Sequence, residues 1–190
     1  MLKLRSYCLF ETPLGRCGIA WTDARAGSDE YAVTHFQLPE STPGETESRI
    51  ARKSGAAGAS EPPRPIATLI ARVSKHLQGE IQDFRDVPVD LATADPFVRR
   101  ICQAVREIPA GKTVTYAELA KVLGDPSLTR AVGGALGRNP IPLIIPCHRV
   151  QAAGGKPGGF SAHGGRVTKA KLLAIEGAVV NLCLEFGAQE

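Results

Sequence analysis

No apolar run in this 190-residue chain approaches the ~18 residues that span a bilayer. The N-terminus has neither a long apolar stretch nor a small-residue cleavage site, so nothing marks it for secretion. The five cysteines, Cys8, Cys17, Cys102, Cys147 and Cys183, are odd in number and form no C-x-x-C pair, which points to free thiols rather than a disulfide framework. With 43% hydrophobic and 22% charged residues, the composition excludes collagen-like, coiled-coil and wholly disordered chains and supplies a real core. The expectation is a soluble, intracellular protein of one domain or two small ones. Charge is short of a strong sign overall, at +4, but it is unevenly spread: residues 1–94 hold 11 basic and 12 acidic side chains, residues 95–190 hold 12 and 7. The basic excess of the second half is a mild pointer to a polyanionic partner.

The first half reads as an α+β module. Arg5–Phe10 and Arg16–Trp21 are strand candidates flanking the turn Thr12-Pro13-Leu14-Gly15, and Tyr31–Leu38 alternates as a third strand. Glu47–Lys53 suits a short helix, and the Gly-, Ala- and Pro-rich segment Gly55–Pro65 suits a mobile loop. Ile66, Leu69, Ile70, Val73 and Leu77 recur at helical spacing up to Gly79, and Val87–Leu91 suggests a short strand. In the second half, Asp95-Pro96 opens a helix striped by Phe97, Ile101, Val105 and Ile108. Thr115-Tyr-Ala-Glu118 is a capping box, and a second helix over about Leu128–Leu136 follows the turn Asp125-Pro126-Ser127. This pair is either a helix-turn-helix or an ordinary helical hairpin. Ala131, Gly134 and Ala135 leave one face of its second helix almost bare, as suits the close approach of a backbone or a nucleic-acid groove, with Arg130 beside it. Two glycines in the interior cost that helix ~1 kcal/mol each.

The strongest chemical signal is Pro146-Cys147-His148-Arg149, a thiol beside an imidazole after a proline-fixed turn. Such a cysteine is either an activated nucleophile or a buried structural thiol. The ordered run of Thr113-Val-Thr-Tyr116, Thr129-Arg-Ala-Val-Gly-Gly-Ala135, Gly137-Arg-Asn-Pro-Ile-Pro142, Pro146-Cys-His-Arg-Val150, Gly159-Phe-Ser161 and Lys171-Leu-Leu-Ala-Ile-Glu-Gly177 resembles the O6-alkylguanine-DNA alkyltransferase family. Before residue 95 the likeness is limited to the Thr12–Gly15 turn and the general α+β pattern.

The resemblance implies an α+β fold: a small N-terminal α/β module with an antiparallel sheet over residues 1–90, then a mainly helical, winged-helix-like DNA-binding domain with a helix-turn-helix over 91–190. It implies DNA repair by direct damage reversal, with irreversible, stoichiometric transfer of an alkyl group from O6-alkylguanine, and O4-alkylthymine as a further candidate, to Cys147 after nucleotide flipping. His148 would deprotonate Cys147 through a water, Glu176 would orient the imidazole and Asn139 would brace the turn. Tyr116, Ser161, Phe160 and the Val150 carbonyl would contact the base. Arg130, Ala131, Gly134 and Ala135 would sit in the minor groove of double-stranded alkylated DNA, with little sequence preference. Arg138 and Lys112 are candidates for phosphate contact.

No cofactor is implied, and Cys8, Cys17, His35 and His76, the only zinc candidates, follow no compact zinc spacing. They read as small buried thiols and core or surface imidazoles, as do Cys102 and Cys183 as core thiols. A monomer in the cytoplasm, or in the nucleus of a eukaryote, completes the expectation. Phe160 departs from the tyrosine many relatives carry, and Ala162-His163-Gly164-Gly165 from their smaller segment. A Cys-His hydrolase and a non-enzymatic helix-turn-helix regulator remain the alternatives.

Overall fold

The computed structural model describes residues 5–23, 31–56, 58–156 and 158–178. Strands β1 (Arg5–Thr12), β2 (Gly15–Asp23) and β3 (Tyr31–Gln37) form an antiparallel sheet in that order. The β1–β2 turn is closed by Thr12, whose Oγ1 donates to the Gly15 carbonyl at 2.7 Å and accepts from the Leu14 N–H at 3.2 Å. Gly15 there sits at φ +116°, which a side chain would resist.

The two faces of β2 do different work. Cys17, Ile19 and Trp21 enter the main core, whereas Ala20 packs with Tyr7 and Ile50 of helix α1 (Pro43–Ser54). On β3, Ala20 pairs with His35 and Trp21 with Val33, so Thr34 is an extra residue. This bulge breaks the simple alternation expected for the strand: Val33 and Phe36, of opposite parity, are both buried. The 55–65 segment is not a free loop, because Ala59 bridges Tyr7 and the Ser60 N–H donates to the Tyr7 carbonyl at 2.8 Å. The expected strand at 87–91 is a single bridge, Val33 to Val89.

Helix α2 (Arg64–Leu77) turns Ile66, Leu69, Val73 and Leu77 onto the other face of the sheet, and Gly79 at φ +97° follows its end. Helix α3 (Pro96–Arg106) is capped by Asp95, which accepts from the N–H groups of Phe97 and Val98. Helix α4 (Tyr116–Val122) begins at the complete Thr115–Glu118 capping box, and a 3-10 turn over Pro126–Leu128 leads into α5 (Thr129–Leu136). These form the helix-turn-helix of a mainly helical second half that ends with α6 (Arg166–Ile175). A two-residue parallel ladder joins β4 (Val114–Thr115) to β5 (Val150–Gln151). The fold is α+β, and one continuous core runs from Ile19 and Val73 through Ile101 and Ile145 to Leu172. Cys102 is wholly buried in it, while Cys183 lies outside the described residues. Among the described residues no helix is long and apolar enough to cross a membrane.

Gly18 is what lets α1 settle on the sheet. A Cβ there would stand 3.0 Å from Cγ2 and 3.1 Å from Cβ of Ile50, whose branched side chain has one preferred rotamer in a helix. Gly18→Ala should therefore lower stability by about 1–3 kcal/mol, read as an earlier thermal midpoint with an unchanged far-UV spectrum.

Candidate active site

The segment before Cys147 is wound tightly. Asn139 Nδ2 donates to the Ile145 carbonyl at 2.8 Å, its Oδ1 accepts from the Ile141 N–H at 3.0 Å, and the Ile145 N–H donates to the Ile141 carbonyl at 2.8 Å. Leu143, wholly inside this loop, takes φ +75°, a left-handed conformation that costs a non-glycine residue of order 1–3 kcal/mol. At Pro146 (φ −81°, ψ 62°) the Cys147 N–H donates to the Ile145 carbonyl at 2.8 Å, an inverse γ-turn. Cys147–Arg149 then form one 3-10 turn, and β5 ties the exit of that turn to the start of α4.

Cys147 is 7% exposed and lies on a cavity of about 520 Å³. The other walls are Tyr116, Arg130, Gly133, Gly134, Leu136, Gly137, Gly159, Phe160 and Ser161. The Tyr116 hydroxyl donates to the Gly159 carbonyl at 3.4 Å, and its ring faces Gly133 across α5. Five of the expected base- and helix-contacting residues, Tyr116, Arg130, Gly134, Phe160 and Ser161, thus surround the thiol. Ala131 is exposed and off the cavity wall. Ala135 is wholly buried and packs into the core with Val132 and Leu136, so it is not part of an open helix face. The bare surface runs instead along Gly133, Gly134 and Gly137. Among these, a Cβ on Gly134 would meet nothing within 4 Å. Val150 is buried and its carbonyl accepts from Lys169 Nζ at 2.5 Å, which leaves one lone pair for another donor. His163 is exposed on its loop.

Behind the thiol lies a buried polar network. His148 is 0% exposed, and its Nε2 is 3.0 Å from Glu176 Oε1. Because a carboxylate only accepts, Nε2 carries the hydrogen and Nδ1 holds the lone pair. That Nδ1 is buried and has no partner among the described residues, so it is the available base. Arg149 grips the same carboxylate with both arms of its fork, Nε to Oε2 at 2.9 Å and Nη2 to Oε1 at 2.7 Å, and its Nη1 donates to the Ile108 carbonyl. His76 of α2 contributes a further contact, Nε2 to Oε1 at 3.1 Å.

The electrostatics follow from burial and partners. Burial pushes the Cys147 thiol up, opposed by the Asn139 amide, by the Lys169 ammonium and by the N–H groups of the turn. Burial likewise lowers His148, against the pull of Glu176, which favours a neutral imidazole. For Glu176, burial alone would raise the carboxyl, but the hydrogen bonds from His148, His76 and Arg149 prevail and hold it well below the ordinary range. Burial also brings Lys169, which lies 5.7 Å from the Tyr116 ring centroid, down to about 8, against the pull of Cys147. Such an arrangement can deprotonate a thiol and direct it at an electrophilic carbon in the cavity.

His76, Arg149 and Lys169 are the parts that sequence reasoning left without a role. The signal for His76 was its place three residues after Val73, on the apolar stripe of α2. Among the described residues no three His, Cys, Asp or Glu side chains are placed to hold a metal ion, and His76 is instead engaged with Glu176.

Residues 96–178 match the family described as the 6-O-methylguanine DNA methyltransferase, DNA binding domain. The methylated-DNA–protein-cysteine methyltransferase of Mycolicibacterium paratuberculosis is 41% identical over 119 residues, 63% of this chain and 70% of that protein. Its counterpart in Metallosphaera sedula is 41% identical over 114 residues, 60% and 69% of the two chains. Among solved structures, the Mycobacterium tuberculosis O6-methylguanine methyltransferase superposes with a TM-score of 0.70 at 30% identity, covering 92% of this chain and 93% of that one. The Mycobacterium tuberculosis OGT in complex with DNA gives 0.68 at 30% identity over 90% and 92%.

Two outcomes are expected from the site's construction. Glu176→Gln strips the charge that faces Arg149 inside the protein, and breaking a buried pair in this way costs about 3–5 kcal/mol. The thermal midpoint should fall accordingly. In the wild type the contribution of Glu176 is complete above the ordinary carboxylate pKa of about 4.3 and is lost as pH falls below it, so the gap between the two proteins should close in acid. Gly158→Ala combines φ +68° with a Cβ 2.9 Å from Tyr116 Cε2, so it should displace the Tyr116 ring, measurable as a change in tyrosine fluorescence.

Proposed function

This chain belongs to the methylated-DNA–protein-cysteine methyltransferase family, and from that premise we propose a residue-level mechanism for its repair of alkylated DNA by direct reversal. Cys147 is the acceptor. The single observation that carries the reading is a cavity-lining cysteine next to a buried histidine whose Nε2 is committed to Glu176 and whose Nδ1 has no partner among the described residues. The thiol proton passes to His148 Nδ1 through a water, and the sulfur attacks the carbon on O6 of guanine. The S–C bond forms as the C–O6 bond breaks, the electron pair stays with the base, and the guanine takes up the proton to regain its ordinary lactam form. Ser161 and Tyr116 face the base and offset the charge it gathers as it leaves. The carbonyls of Cys147 and Val150 accept from its exocyclic amine, and Asn139 keeps the turn wound. The product is a thioether, so each molecule acts once.

The substrate is double-stranded DNA. The damaged nucleotide leaves the stack at a cost of a few kcal/mol, and Arg130 takes its place, while Gly133, Gly134 and Ala131 bring α5 close to the minor groove. Contacts are chiefly to phosphate, from Arg138 and Lys112 among others, which makes binding tolerant of sequence and sensitive to salt. O4-alkylthymine presents the same alkyl–oxygen bond and is a second substrate on this reading. The chain acts as a monomer in the compartment that holds the DNA. We divide it near residue 90 into a supporting module and a domain carrying the thiol, the base and the DNA-facing helix.

Intact-protein mass after incubation with a duplex containing one O6-methylguanine should rise by one methyl group per molecule and no further. Cys147→Ser should bind the duplex and gain nothing; a gain in that variant would move the acceptor elsewhere. Arg130→Ala should slow repair of duplexes more than reaction with free O6-benzylguanine, since only the duplex route requires extrusion of the base. Equal losses on both would remove Arg130 from that role.

A further inference from the structure

Oxygen Oε1 of Glu176 receives three donors, and one of them comes from the first half of the chain. His76 is 1% exposed and one hundred residues away in sequence. Its tautomer is decided by its other nitrogen: the Gln82 backbone N–H donates to Nδ1 at 3.1 Å, so Nδ1 is the acceptor. Nε2 therefore carries the hydrogen, and at 3.1 Å it donates to Glu176. The ring rests against Phe84, with centroids 5.2 Å apart. Both nitrogens and one face of the imidazole are thus engaged in a single orientation.

The oxygen His76 holds is the one that fixes His148. His148 Nε2 at 3.0 Å, Arg149 Nη2 at 2.7 Å and His76 Nε2 at 3.1 Å converge on Oε1, while among the described residues Oε2 receives only Arg149 Nε. We propose that His76 is a positioning residue for methyl transfer, supplied by the supporting module: by holding Glu176 Oε1 it keeps the His148 ring in register with Nδ1 open to the Cys147 proton. The inference rests on the reading of Cys147 as acceptor and His148 as its base. It gives the first half of the chain a part in the chemistry, acting through the carboxylate rather than on the substrate.

A second effect has the same sign. Each donor on Oε1 draws on the negative charge that would stabilise a protonated His148. The charged and titratable groups around His76 are Glu176 from α6, His148 and Arg149 from the active-site turn, and Arg72 over the Phe84 ring. Asp83 is engaged by Arg85, and Lys75, next to His76 on α2, pairs outward with Glu80. With His76 removed, Glu176 has one donor fewer and more of its charge falls on His148, which then takes up a proton at a higher pH.

The test is the rate of methyl uptake by the full chain from an O6-methylguanine duplex, followed by intact mass across pH, for wild type, His76→Phe, His76→Leu and His76→Gln. His76→Phe keeps a ring against Phe84 and loses both hydrogen bonds. It should still accept one methyl group, but the acid limb of its profile should move up by about one pH unit, making it about tenfold slower below the limb. His76→Leu should behave alike, and it supplies the same comparison if the larger ring is not accommodated. His76→Gln, whose amide reaches the same oxygen, should restore the wild-type limb. An unchanged limb in the folded Phe or Leu variant overturns the proposal, even where its thermal midpoint drops, because His76 would then serve packing alone. A failure of Gln to restore the limb also counts against it. No methyl uptake by the wild type, in contrast, would sink the reading of Cys147 and His148 on which the proposal stands.

Discussion

One carboxylate, buried at the end of α6, organises the molecule. An isolated ionised carboxyl inside a protein is too costly to persist, so Glu176 exists in its charged form only because four hydrogen bonds reach it. They come from three residues, with Arg149 supplying two. His76 arrives from α2 and brings the sheet module with it. His148 arrives from the active-site turn and is oriented in return. Arg149 neutralises the charge and, through Ile108, holds the end of α3. The side chain that orients His148 is thereby the same one that joins the two halves of the chain, and one continuous core runs through both.

The site is held on rigid supports at both ends. Upstream, Asn139 closes a loop around a left-handed Leu143 and an inverse γ-turn at Pro146. Downstream, β5 pairs with the strand that leads into Tyr116. Cys147, His148 and the cavity-wall Tyr116 are therefore set by backbone hydrogen bonds rather than by the freedom of their side chains. On the wall built by α5, Gly133 and Gly134 stand beside Arg130 and Leu136, and α5 is a helix whose glycines favour it little. It is kept helical by Val132, Ala135 and Leu136 in the core, which frees its outer surface to be shaped for something else.

Much of this was legible in the sequence because the signals are local. One capping box, a proline in a first turn and apolar spacing located α2 through α5 within a few residues, and the Pro-Cys-His-Arg run marked the turn that the structure places on the cavity. What escaped was set by distant partners. The Thr34 bulge depends on pairing with β2, and so reversed the buried parity of β3. The 55–65 segment looked free because its hydrogen bonds go to Tyr7, across a gap that composition does not encode. Ala135 looked like part of a bare face because a small residue reads the same whether it clears space for a ligand or fills the core. His76 looked like an ordinary core imidazole, since its partner lies one hundred positions away.

That separation also gives the chemistry a place in time. As the chain is synthesised, His76 emerges first, then Cys147 with His148, and Glu176 comes 28 residues after His148. Until Glu176 has emerged and α6 has docked, that carboxylate cannot hold the imidazole. Because Glu176 follows His148 in the chain, the buried network around it is complete only once α6 has packed against the earlier elements.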